Sequence, residues 1–175
     1  MELFETIAFR KSTRHYTSQK VSDADIEQVL KAACASPVAN GEFQRIHLTV
    51  VQDAALLDRL AKTTAKAFGA DDFDPFYGAS TLIVVSIKPR DGEPNIEYAD
   101  AGCIVENMLL AATALDLCSV YLWGFTHAFG VDPSLVDALQ IPAGYKPCSG
   151  AAIGYSENPP AKRPLEISFS CNYIK

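Results

Sequence analysis

The stretch Arg10-Lys11-Ser12-Thr13-Arg14 places three cations and two hydroxyls within five residues of a chain whose formal net charge is -6. A phosphate monoester carries up to two negative charges and several acceptor oxygens. Arginine matches it with a planar fork and serine adds a short hydroxyl donor. The chemistry suggested is capture of a single anion, although spacing alone favours the plainer alternative of a solvated helix end. A second basic pair, Lys162-Arg163, stands beside prolines near the C-terminus and carries little weight alone.

Other chemistry-bearing residues form no pattern. His15, His47 and His127 lack metal-ligand spacing, and the five cysteines contain no Cys-x-x-Cys pair, so no metal is expected. No G-x-S-x-G is present, and no side chain stands out as a catalytic nucleophile or general acid. The Asp71, Asp72 and Asp74 cluster reads as a solvated loop. Neither a G-x-G-x-x-G nor a G-x-x-x-x-G-K-[ST] loop occurs, which removes the main support for Rossmann and P-loop folds. Enzymatic chemistry on this chain would fall to a cofactor.

The 175 residues fit one domain, 1–175, and 49% hydrophobic with 21% charged residues is an ordinary globular mix. An acidic balance argues against nucleic-acid binding. Cys34, Cys103, Cys118, Cys148 and Cys171 are odd in number and sit mostly in apolar surroundings, which points to a reducing compartment. No apolar run reaches signal-peptide or transmembrane length, so the expectation is a cytoplasmic protein without a membrane partner.

The elements that must position the basic cluster follow from periodicity. Leu3, Phe4 and Ile7 mark one face of a short helix ending near Arg10. Ser22 reads as an N-cap, with Asp25 three residues on, for a helix over 23–35. Pro37 stops it, and Asn40-Gly41 signals a turn in the loop SPVANGEF. Ile46, Leu48 and Val50 alternate as a strand. Leu56 to about Phe68 is helical, and TLIVVSI (81–87) is a buried strand. The span 97–117 is apolar almost all round and predicts a central helix. SVYLWG (119–124) and GAAIGYS (150–156) read as strands, with a short helix after Pro133 between them. The last segment turns apolar again with nothing local to pack on, as a tail that docks on a partner subunit does.

In order along the chain, these motifs resemble the FMN-dependent nitroreductase family over nearly the whole length. Arg10 to Arg14 match its Arg-[Arg/His/Lys]-Ser-x-[Arg/Lys] motif, and SPVANGEFQ is the counterpart of its Pro-Ser-x-x-Asn-x-Gln-Pro-Trp loop. Asp100, Gly102 and Asn107 through Ala112 match its Asp-x-Gly-x-x-x-x-Asn-Leu-Leu-Leu-Ala-Ala segment. LCSVYLWGF and LQIPAGYKPCSGAAIGYSENPPAKRPLE resemble its flavin-side strand and its ending. The loop departs from the pattern: Val38 replaces the serine, and Glu42-Phe43-Gln44 stands where Gln-Pro-Trp is usual.

The resemblance implies an α+β nitroreductase-like fold, a central mixed or antiparallel sheet flanked by helices, and a homodimer with the C-terminal tail on the partner. It implies FMN, whose phosphate and ribityl chain would meet Arg10, Lys11, Ser12 and Arg14, with Lys162 and its neighbour Arg163 completing the phosphate site. Asn40 would contact the flavin ring, and Pro37, Val38 and Ala39 would approach the flavin of the other subunit. Gly124, preceded by Trp123, would face the ring's reactive edge. Independently of the resemblance, Phe43, Trp123 and Phe125 read as apolar walls for planar guests or, equally, as ordinary core. The activity implied is hydride transfer from NAD(P)H through flavin N5 to a small planar acceptor, nitroaromatic or quinone, by a ping-pong mechanism. The alternative is a flavin-binding sensor or carrier without turnover, because fold does not fix function.

Overall fold

A computed structural model describes residues 2–70 and 72–175. Its centre is a four-stranded antiparallel sheet of β1 (Ile46–Val51), β2 (Thr81–Ile87), β3 (Cys118–Leu122) and β4 (Lys146–Gly154) in the order β1-β2-β4-β3. The continuous apolar run of β2 suits an inner strand buried on both faces, and every one of its residues is buried. Asp71 of the predicted acidic cluster lies outside the described residues; Asp74 caps the turn after it, accepting from Phe76 N–H at 2.8 Å and Gly78 N–H at 2.7 Å.

One sheet face is covered by α2 (Asp23–Cys34) and α4 (Ile96–Ala114). Ile83, Val85 and Ile153 meet Ile104, Val105 and Met108 there. The predicted Ser22 cap forms, accepting from Asp25 N–H at 3.1 Å. The opposite face is covered by α3 (Ala54–Ala67), α5 (Ala128–Val131) and α6 (Leu135–Ala138), with Leu60, Phe125 and Leu139 against Leu82, Val84 and Val120. At Gly150 of β4 an added Cβ would lie 2.6 Å from the Ile83 carbonyl and 3.3 Å from the Phe125 ring, so only glycine fits. Of the two readings of Phe125, wall or core, its burial selects core.

Several expectations change at their edges. The third strand ends at Leu122, and Trp123-Gly124 lead into a 3₁₀ turn, Gly124–His127. The last strand begins at Lys146 and includes Pro147, which is tolerated beside a bulge where pairing shifts between Val85 and Ser86. In α1 (Leu3–Phe9) the buried residues are Thr6 and Ala8, while Leu3 and Phe4 are exposed. Small side chains bring the helix backbone close to its neighbours, and the large apolar pair is left outside. Cys118 and Cys148 are buried, but Cys34, Cys103 and Cys171 are exposed, so the apolar setting expected for most of the cysteines holds for only these two. Among the described residues no helix is long and apolar enough to cross a membrane.

Candidate cofactor-binding site

The basic cluster sits where α1 hands the chain to the sheet edge. Arg10 caps α1, with its N–H on the Thr6 carbonyl at 2.8 Å. Ser12 forms a parallel bridge with Ser119 of β3, and Thr13 N–H donates to the Ser119 carbonyl at 3.0 Å. The chain then runs on beside the sheet: Thr17 N–H meets the Tyr155 carbonyl at 2.8 Å, and the Tyr16 ring lies over Gly154, where a Cβ would come within 3.0 Å. Burial pushes the Tyr16 phenol well above its ordinary pKa, so it stays neutral.

The second basic pair arrives from more than 140 residues away. Arg163 N–H donates to the Ala8 carbonyl at 3.1 Å, and Lys162 Nζ lies 3.7 Å from Glu5. The second basic pair thus returns to α1, whose C-terminal end carries Arg10. Arg10 Nε faces Glu106 of α4 at 3.7 Å, a loose ion pair, while Lys11 and Arg14 are exposed. Lys11 also borders a cleft of about 310 Å³ with Phe9, Ser119, Pro159 and Pro160. Five cations and the Ser12 hydroxyl against Glu5 and Glu106 make a donor set that fits a doubly charged phosphate.

From Ser119, β3 carries the site about 16 Å, five residues, to Gly124. Gly124 opens the 3₁₀ turn, so its N–H has no partner inside the turn. A Cβ there would meet Phe68 Cζ at 3.0 Å. Phe68 and Trp123 both contact the His127 ring edge-on, with centroids 5.4 and 5.2 Å apart, and both are half exposed. An aromatic cluster open to solvent therefore stands at this end of β3. Sequence reading found Trp123 but missed Phe68 and His127, which are adjacent only in space.

The loop of Pro37, Val38, Ala39 and Asn40 lies elsewhere. Ala39 N–H donates to Asp100 Oδ1 at 2.9 Å, and Ser36 Oγ donates to the Cys103 carbonyl at 3.4 Å. Asp100 is buried, and its Oδ2 meets no donor among the described residues. Asn40 is exposed with φ 54°, a left-handed conformation that asparagine tolerates. Along α4, Asp100 and the helix end at Ala114 are about 21 Å apart. One chain therefore does not bring this loop to the Ser12–Ser119 end of the site. A cleft of about 530 Å³ between α3 and the 72–80 segment holds none of the candidate residues.

A donor-rich sheet edge next to a solvent-open aromatic cluster describes a protein that binds an elongated anionic cofactor. Residues 7–155 match the Nitroreductase family, and the chain belongs to it. An Archaeoglobus fulgidus protein named NADH dehydrogenase/NAD(P)H nitroreductase is 32% identical over 159 residues, covering 90% of this chain and 87% of that one. The fold superposes on a Bacteroides fragilis nitroreductase with bound FMN at a TM-score of 0.83, with 25% identity and full coverage of both chains. A Desulfitobacterium hafniense nitroreductase with bound FMN shares the fold at a TM-score of 0.84, with 22% identity, 99% of this chain and 98% of that one.

Proposed function

We propose that this chain is an FMN-dependent oxidoreductase that takes reducing equivalents from NAD(P)H and delivers them to nitroaromatic or quinone-type acceptors through one shared pocket, in ping-pong fashion. The observation that carries the reading is the return of Lys162-Arg163 to α1, whose end leads into Arg10–Arg14. FMN held by these residues would supply the hydride chemistry between NAD(P)H and the acceptor.

The chain's own residues bind and orient. Arg10, Lys11, Ser12, Arg14, Lys162 and Arg163 hold the phosphate. The Gly124 N–H, unpaired within its turn, is a backbone donor for the ring's reactive edge, where a fixed dipole stabilises developing charge. Phe68, Trp123 and His127 offer flat apolar surface to planar guests. Stacking without many directed hydrogen bonds discriminates weakly, which fits a broad acceptor range.

The working unit in this reading is a cytoplasmic homodimer with two sites, each completed by Pro37, Val38, Ala39 and Asn40 of the second copy. The separation of about 21 Å along α4 supports this, and so does the tail. Leu165, Ile167, Phe169 and Tyr173 recur at even spacing with polar residues between them, the pattern of a half-buried strand, yet all are exposed in the single chain. Leu3 and Phe4 of α1 are likewise uncovered.

The test is an absorbance spectrum of the purified protein before and after anaerobic NAD(P)H, with the cofactor released by denaturation and identified by chromatography. The expected result is about one FMN per chain, bleached by NAD(P)H. Bound FMN that NAD(P)H leaves oxidised would instead favour a flavin-binding sensor or carrier, and a colourless protein that takes up no FMN would refute the proposal.

A further inference from the structure

The loop that departs from the family pattern is tied into a charged network. Arg45 is buried and donates through Nε and Nη2 to the Lys88 carbonyl at 2.9 and 2.7 Å. Its Nη1 pairs with Glu42 Oε2 at 3.1 Å. The other oxygen of Glu42 faces Arg90 Nη2 at 3.7 Å, and Arg90 Nη1 pairs with Glu93 at 3.0 Å. Arg90 also reaches Asn40. With the amide oxygen of Asn40 turned towards the guanidinium, it accepts from both Arg90 Nη atoms, from Nη2 at 2.9 Å. The opposite orientation would set amide N–H groups against guanidinium N–H groups, donor against donor.

We infer that Arg90 is a positioning residue that fixes the Asn40 amide with its oxygen on the guanidinium, so that what Asn40 has left to offer a ligand is its Nδ2 hydrogens, a donor and never an acceptor. The inference rests on the FMN reading above for the identity of what Asn40 meets; the orientation itself is a property of this chain. A guanidinium on the amide oxygen also polarises the amide and strengthens its N–H donors. The complementary ligand group is a carbonyl-type oxygen, as on the flavin pyrimidine edge. Asn40 is held from the backbone side as well, since Asp100 fixes the N–H of Ala39 and the turn sets φ of Asn40 at 54°. Glu42 makes the arrangement possible: it bridges the buried Arg45 and Arg90, so it orients the Arg90 guanidinium instead of leaving it to solvent. The same glutamate is the departure from the usual Gln-Pro-Trp, and its charge is what Arg45 and Arg90 share.

The test has one readout that needs no flavin and one that does. In cofactor-free ¹⁵N-labelled protein, the Asn40 side-chain amide pair is assigned by its loss in Asn40→Ala. In Arg90→Ala that pair is expected to move to the position of a solvent-exposed asparagine while the backbone spectrum is retained; an unmoved pair overturns the inference whether or not FMN binds. In apoprotein titrated with FMN, Asn40→Ala and Arg90→Ala are each expected to weaken binding roughly tenfold, the scale of one hydrogen bond to a charged or polarised group. The double variant is expected to bind no more weakly than Asn40→Ala alone, because Arg90 acts through Asn40. Arg90→Lys, which keeps the charge but loses the fork, is expected to recover only part of the affinity. Multiplying losses in the double variant overturn the inference, as does Arg90→Ala with wild-type affinity beside a weakened Asn40→Ala. Wild-type protein that takes up no FMN refutes the FMN reading instead, and the amide spectrum still decides the orientation.

Discussion

Replacing Arg10 with alanine should weaken FMN binding while leaving riboflavin binding unchanged, because the two ligands differ only in the phosphate. In the single chain Arg10 faces Glu106 across 3.7 Å, with the two side chains 24% and 51% exposed. A pair so open to water contributes about 0–1 kcal/mol. A phosphate oxygen in place of Glu106 makes a charge-assisted hydrogen bond of about 1.5–3 kcal/mol. The difference, roughly 1–2 kcal/mol, is a five- to thirtyfold rise in Kd. Glu106→Gln should act in the opposite direction. It frees the guanidinium and removes a negative charge near the phosphate, so FMN should bind up to about fivefold more tightly, with the gain shrinking as salt rises. The assay is flavin fluorescence quenching on titrating apoprotein with FMN and, separately, with riboflavin. Equal losses for both ligands in Arg10→Ala would point to general damage rather than a phosphate contact. Unchanged FMN affinity in Arg10→Ala would place the phosphate elsewhere, and weaker FMN binding in Glu106→Gln would refute the competition argument.

Removing residues 165–175 should convert a dimer into a monomer with poor cofactor retention, since each apolar side chain buried on the partner contributes about 1.5 kcal/mol or more; light scattering at micromolar concentration reads it, and an intact flavin-loaded dimer would contradict the tail's role. Initial rates with NAD(P)H and a quinone both varied should give parallel double-reciprocal lines; intersecting lines would require donor and acceptor to bind together. Burial pushes the Cys148 thiol up to about 11, against about 8.5 for a free thiol. The fold thus favours the neutral thiol, and its contribution is intact below about pH 8.5 and lost as pH rises towards 11. Cys148→Ala should flatten that alkaline loss in guanidinium denaturation series. Gly150→Ala should destabilise by about 1–3 kcal/mol, because its Cβ would press on the Ile83 carbonyl at 2.6 Å; a thermal midpoint equal to wild type would show that the strands can part without cost.

Much of the fold was legible. The Ser22 cap, the seven-residue apolar run of β2 and the i, i+3, i+4 repeat of α4 are local signals, and they fall where the elements form. Local signals failed where a distant neighbour decided. Leu3 and Phe4 look like a buried face, but α1 is pinned through Thr6, Ala8 and the Ala8 carbonyl, and its large side chains face outward. Trp123-Gly124 carry a strand-like sequence, but the chain turns there as Phe68 closes on Gly124. Phe125 reads equally as wall or core, and it is core because Gly150 makes room for it.

The contiguous parts could be read from the residues alone: the Arg10–Arg14 cluster, the helices and strands with clear periods, and the order of motifs that marks the family. A cluster within five residues keeps its chemistry whatever the rest of the chain does, and a period of 3.6 or 2 is written in the spacing itself. What those parts meet was set by the folded chain. It brought Lys162-Arg163 to α1, laid Ser12 against Ser119, set Asp100 under the Ala39 N–H and put Asn40 beside Arg90. The physical reason is that a hydrogen bond or ion pair between segments far apart in the chain depends on packing of the elements that carry them, and packing leaves no mark in the local spacing of either partner.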